Sequence, residues 1–266
     1  MLIWGGFILK LFDALPIGYV FQSRILTKAE RISWFLIFPI FLLLPVYLNK
    51  QSFSQYFVCI LVVISSYEIG YLYNDIITTK KELNPTLRHT IFHESHFIYC
   101  VLIRFCFVLS LSLYYCVVND VFFASYLLTS CFVINVFFYL HNAIRSKLNI
   151  LTYFFLVSSR YLFPIAIFCS IKQMITVILI FPICRTIEHA CKRKYGYNFI
   201  NRFVANPDLF RVKYLVFILL VELIIIDDHV SLLLVIYFLS IRLVAISVSH
   251  FKFFKRNKHQ SYNSIE

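Results

Sequence analysis

Long apolar runs separated by short polar punctuation fill most of the chain. Runs long enough to cross a hydrocarbon core cover residues 32–48, 56–73, 97–118, 121–140, 148–171, 174–190, 214–226 and 230–249. The sixth turns charged after Cys184, and the seventh is short unless it starts near Arg211. The runs are continuous and lack the period-two alternation of an outer-membrane strand. The pattern therefore predicts an all-α, polytopic transmembrane helical bundle of about eight to nine spans. The first twenty residues are apolar with Lys10 and Asp13 set centrally, unlike a secretory signal, and residues 1–31 read as an interfacial amphipathic segment, with a ninth span the open alternative.

Composition agrees: 61% of the 266 residues are hydrophobic and 14% charged, against roughly 45–50% and 25% in soluble domains. Of the 25 lysines and arginines, all but five fall in alternate loops and the termini, the exceptions being Lys50, Lys172, Arg104, Arg160 and Arg242. That alternation predicts an integral membrane protein with both termini cytoplasmic. It also explains most of the formal charge of +12 without a nucleic-acid partner. The eight cysteines occur without C-x-x-C spacing, so they read as small buried hydrophobes.

The candidate chemistry sits where the second run ends. On a helix, Glu68, Asp75, Thr78 and Glu82 share one stripe with Asn74 beside it. Oxygen ligands of this kind suit Mg²⁺ shared with a substrate phosphate, and Lys80, Lys81 and Arg88 flank them. The competing reading makes Asn74 and Asp75 a simple span end and residues 80–82 a solvated turn. Glu68 lies nearly two turns inside the membrane and needs a basic partner, for which Arg104 and Arg160 are the candidates.

In the loop over residues 185–213, Arg185 and Glu188 share a helical face, while Lys192, Arg193 and Lys194 read as head-group contacts. His89, His93 and His96 with Glu94 miss the H-E-x-x-H spacing and carry little metal signal. Asp227-Asp228-His229 reads as a chain reversal. Arg242 is expected to snorkel or to meet Glu222.

Asn74-Asp75, Thr78, Glu82, Pro85 and Arg88, taken in order, resemble the N-D-x-x-D-x-x-x-D signature of the UbiA superfamily of intramembrane prenyltransferases, in particular its decaprenyl-phosphate phosphoribosyltransferase-like branch. Arg31 with Trp34 resembles that branch's opening motif, Asn149 with Arg160 its aspartate and downstream arginine, and Arg185-Thr186-Ile187-Glu188 its K-R-x-x-E. Thr78, Glu82 and Asn149 stand where the family carries aspartates.

The resemblance implies a transmembrane transferase domain over residues 32–250, followed by a basic cytoplasmic tail over 251–266. It implies a cytoplasm-facing cavity in the cell membrane and Mg²⁺ as cofactor on Asn74, Asp75 and Glu82. Thr78, Lys81, Arg88, Glu68, Asn149, Arg160, Arg185 and Glu188 would then bind substrate. The implied reaction is phosphoribosyl transfer from phosphoribosyl pyrophosphate to a polyprenyl phosphate in cell-envelope lipid synthesis, so the partners are a polyprenyl lipid and a phosphorylated small molecule. Prenyl transfer from a polyprenyl diphosphate to a small acceptor, and non-catalytic lipid binding, remain alternatives. A transporter would instead line a path with Glu68, Arg104, Arg160 and Arg242.

Overall fold

An apolar segment in lipid can satisfy its backbone N–H and C=O groups within itself only as a helix, and these runs become helices. The computed structural model describes residues 14–81, 94–144, 146–192, 195–204 and 206–250. Among them every regular element is helical, with no strand.

We number the helices in chain order. α1 is Gly18–Ser23, α2 Lys28–Leu48, α3 Phe53–Thr78, α4 Glu94–Val117 and α5 Val121–Ala143. α6 is Asn149–Leu162, α7 covers residues 171–190, α8 is Asn198–Phe203, α9 covers 207–226, and α10 is His229–His250. Among the described residues five helices are long and apolar enough to cross a membrane, namely α2, α3, α4, α5 and α10 up to Val248. The chain is thus an integral membrane protein.

The remaining three expected spans are the shorter or more charged helices. The run over 148–171 does not form one helix: it stops at Leu162 and continues as turns. Pro164 causes this, because it has no N–H to donate to the Arg160 carbonyl, and the chain tightens into Ile165 N to Leu162 O at 2.9 Å. α7 carries Lys172, Arg185 and Glu188, and α9 carries Asp208, Arg211, Lys213 and Glu222.

Two helices share a π turn written in identical residues. Leu36-Ile37-Phe38-Pro39-Ile40 in α2 and Leu179-Ile180-Phe181-Pro182-Ile183 in α7 each form a single π-helical turn with proline in the fourth place. Proline removes one rung of the ladder and the turn widens around the gap. Asn74–Thr78 and Glu222–Ile226 are also π turns.

The chain divides into two units, Met1–Ile32 with Ser54–Ile144, and Ser33–Phe53 with Arg145–Glu266. In the first, α4 and α5 are joined by a tight turn in which Asn119 takes φ 65 and the Asp120 carboxylate caps α5 by accepting from Phe123 N at 3.1 Å. α3 is its most buried span. Gly70 lets the Phe138 ring of α5 lie against the α3 backbone, since a Cβ there would meet the ring at 2.2 Å. Tyr67 and Tyr71 hold that ring edge-on at 4.8 and 5.5 Å. Gly70→Ala is therefore expected to cost about 1–3 kcal/mol by overpacking, read as a lowered melting temperature in detergent, with Gly70→Ala/Phe138→Leu recovering part of the loss.

In the second unit, Phe38 and Phe181, each in one of the two proline-containing π turns, lie against Tyr161 of α6. The ring centroids lie 5.5 Å apart edge-on and 4.0 Å apart stacked, respectively. Phe238 of α10 closes on Phe181 and Phe41 at 5.5 Å each.

Candidate functional site

In the first unit, α3 presents two carboxylates one above the other. Glu68 is wholly buried and paired with Arg104 of α4, whose Nη2 and Nε donate to Oε2 at 3.0 and 3.2 Å. Of the two candidate partners, the structure selects Arg104. Glu68 also accepts from the backbone N–H of Ile17 at 3.0 Å and Val20 at 2.8 Å, the first turn of α1. A carboxylate placed at those amides caps a helix from outside. Glu68 therefore fastens the segment before α2 to the bundle.

Seven residues further on, at the start of the π turn, Asp75 accepts from Arg24 Nη2 at 2.8 and 2.7 Å, from the Tyr19 hydroxyl at 2.7 Å and from Asn74 Nδ2 at 3.1 Å. Burial first, and then the charge of Asp75, push the Tyr19 phenol far above its ordinary range, so it stays a donor. Thr78 is buried in the same π turn, and the Thr79 hydroxyl donates to the Asp75 carbonyl at 2.7 Å. The Lys81 side chain, Glu82 and Arg88 lie outside the described residues, as do His89 and His93. His96 contacts Cys100 Sγ at 3.4 Å.

These positions test the fit of magnesium. Both Asp75 oxygens are engaged by a guanidinium and a phenol, Asn74 turns its amide N–H₂ toward Asp75, and among the described residues no three His, Cys, Asp or Glu side chains gather as a ligand set. Among the described residues Asn74 and Asp75 are thus held by protein partners, and Glu82, the third of the expected ligands, lies outside them.

In the second unit, α6, α7, α9 and α10 contribute the polar set. Arg185 Nη1 donates to Glu188 at 2.8 Å, the i,i+3 pair the sequence suggests. Arg211 of α9, read from sequence only as an orientation charge, is the stronger partner: its Nε makes a short bond to Glu188 Oε1, and Nη2 reaches Oε2 at 2.9 Å. Arg211 also reaches Asp208 at 3.4 Å.

Arg242 of α10 does not meet Glu222, whose Oε1 accepts instead from the Thr176 hydroxyl. Its guanidinium lies 4.9 Å from the Phe238 ring centroid, and its Nε is buried with no hydrogen-bond partner. It shares an electrostatic neighbourhood with Arg185, Arg211 and Glu188, while Tyr161 is flanked by the charges of Arg160, Arg185 and Arg242. Arg160 stands 4.6 Å over Phe38, and Arg185 5.9 Å over Phe181.

Beside this set, the Asn149 side-chain oxygen accepts from the Tyr195 hydroxyl at 2.7 Å and lies 3.2 Å from His189 Nε2. Tyr153 stacks on that imidazole at 4.0 Å. Burial pushes the Tyr195 phenol up to about 12, so it remains a donor at neutral pH. Tyr195→Phe is expected to cost about 1 kcal/mol, checked by thermal unfolding.

Among the described residues the arginines at this site number four, namely Arg160, Arg185, Arg211 and Arg242, with the acids Glu188 and the more exposed Asp208, a formal excess of two positive charges within that set. The duplicated Leu-Ile-Phe-Pro-Ile segment is the sequence signal that marks this place, because both copies deliver a phenylalanine to the same tyrosine. Asp228 accepts from Ser231 N at 2.8 Å at the start of α10 and Asp227 takes φ 47, as a chain reversal requires. No protein-family model, no curated protein and no solved structure matches the chain.

Proposed function

We propose that this is an integral-membrane transferase whose second unit binds the phosphate of a polyprenyl phosphate. The excess of guanidinium charge over an aromatic floor carries this reading. Clustered cations in an apolar bundle are costly, and a bound oxyanion lowers the cost by placing its oxygens on donors such as Arg242 Nε. Arg160, Arg185 and Arg242 would hold the phosphate, with Arg211 and Glu188 fixing Arg185. The faces of Phe38, Tyr161, Phe181 and Phe238 would meet the first isoprene units.

The resemblance to the phosphoribosyltransferase-like branch supplies the reaction. A lipid phosphate oxygen attacks the anomeric carbon of phosphoribosyl pyrophosphate, the new C–O bond forms, and pyrophosphate leaves with the electrons of the old one. The nucleophile is already an anion, so no base is required, and arginines facing the leaving group would stabilise its growing charge. In this reading α6, α7 and α9 complete an eight-helix bundle around a cytoplasm-facing cavity in the cell membrane, with both termini cytoplasmic.

The occupation of Asp75 by Arg24 and Tyr19 favours a second reading, a non-catalytic carrier of the same lipid. Purified protein incubated with radiolabelled phosphoribosyl pyrophosphate and polyprenyl phosphate separates the two. Label appearing in the lipid phase supports the transferase. Tight lipid binding without label in the lipid, with and without added Mg²⁺, supports the carrier.

A further inference from the structure

Near the end of α9 the second unit buries a carboxyl without a counter-charge. Glu222 is 1% exposed and opens the π turn Glu222–Ile226. Its Oε1 meets the Thr176 hydroxyl of α7 at 2.5 Å, and Oε2 is buried with no hydrogen-bond partner. The charge that acts on it is Asp228, another acid. Lys172, Asp227 and His229, the other charged or titratable groups of the adjoining turns, are exposed. Arg185 lies nine residues from Thr176 and Arg211 eleven from Glu222, about 14 and 16 Å along their helices.

The other two buried glutamates are supplied differently. Glu68 receives Arg104 and two backbone amides, and Glu188 receives Arg185 and Arg211. Where the fold keeps a carboxylate ionised it provides cationic donors, and at Glu222 it provides one hydroxyl.

That hydroxyl has a single proton and two oxygens within reach, Glu222 Oε1 and, one turn back, the Lys172 carbonyl at 3.1 Å. With Glu222 ionised, Thr176 can serve only one of them fully, and Oε2 stays an anionic oxygen in an apolar site, which is costly. With Glu222 as the acid, every proton has its own acceptor. Glu222 Oε1 then donates to Thr176 Oγ1, and Thr176 donates to the Lys172 carbonyl. Oε2 becomes a neutral carbonyl oxygen, whose burial costs far less.

We propose that Glu222 is a proton-binding site, carried as the neutral acid at neutral pH and joining α9 to α7 through its own proton. The ligand is a proton exchanged with water at the exposed Asp227 turn. Its release places a second negative charge beside Asp228 and weakens the junction of α9 with α7. The site stands whether or not the arginine cluster binds a lipid phosphate.

The sign of the pH dependence follows. Below the ordinary glutamate range, about pH 4.3, folded and unfolded chains both hold the proton. Above it the unfolded chain releases the proton while the folded chain keeps it, so stability falls as pH rises until the folded carboxyl ionises too.

Full-length protein in nanodiscs is compared with Glu222→Gln, in which an amide N–H takes the place of the acid O–H. Infrared difference spectra at neutral pH are expected to show the carbonyl stretch of a protonated carboxyl in the unaltered protein and not in the variant. Between about pH 5 and about pH 7, the unaltered protein is expected to lose about 3–5 °C of melting temperature per pH unit relative to the variant. Absence of the band overturns the proposal, whether the carboxylate is bare or holds a small cation such as sodium, and so do parallel melting curves. If Glu222→Gln does not fold, Thr176→Val decides: removing the acceptor should shift the band, and an unmoved band overturns the proposal.

Discussion

Arg104→Ala is expected to destabilise the first unit by about 3–5 kcal/mol, because it leaves Glu68 as a buried charge without its counter-ion. Both side chains are fully shielded, and Glu68 also holds the amides of Ile17 and Val20. The damage should spread to α1, and with it to the contact of Arg24 with Asp75. Replacing both members, Glu68→Gln with Arg104→Gln, should cost less than Arg104→Ala alone, since no net charge then stays buried. Chemical unfolding in mild detergent measures both. A cost below about 1 kcal/mol for Arg104→Ala would mean that this pair is not the anchor described.

Glu188→Gln is expected to have a comparable effect in the second unit, with a different signature. Glu188 is the acceptor between Arg185 and Arg211, and its loss raises the formal excess of positive charge there from two to three. Without ligand the variant should lose about 3–5 kcal/mol. Polyprenyl phosphate should then raise its melting temperature more than that of the unaltered protein, because the lipid supplies the missing negative charge. Equal lipid-induced shifts in the two proteins would separate the arginine cluster from lipid recognition.

Some of this organisation was legible in the residues. Continuous apolar runs gave the long helices, because length and hydropathy alone decide whether a segment spans. The turn at Asn119-Asp120 was visible as a break of two polar residues. The Arg185–Glu188 pair followed from i,i+3 spacing, and Glu68 announced that a buried arginine must face it, since a carboxylate at that depth requires one.

The contacts that define the candidate sites were not legible, and the reason is separation along the chain. Arg24 lies 51 residues from Asp75, and Arg211 lies 23 from Glu188, so no helical period links either pair. The stripe drawn through Glu68, Asp75 and Thr78 assumed a regular α-helix. The π turn at Asn74–Thr78 changes the register within that stretch, while Glu68 and Asp75 still meet the same segment, residues 17–24. Pro164 was present inside the fifth run, yet the run reads as apolar throughout and only the backbone accounting shows that the helix must stop there.

Arg242 illustrates the same limit from the other side. Its position in an apolar helix marked it as costly, and Glu222 in the seventh run was the acid the sequence suggested for it. The fold instead gives Glu222 to Thr176 and sets Arg242 on Phe238, among guanidiniums. A cation in such company makes sense when an anion completes the site.

The direct test is the affinity of polyprenyl monophosphate for the protein in nanodiscs, with and without Arg242→Gln, followed by native mass spectrometry. Recognition of the lipid phosphate by the arginine cluster predicts a loss of about tenfold or more, unaffected by chelating divalent cations. Equal affinity of the two proteins would contradict it.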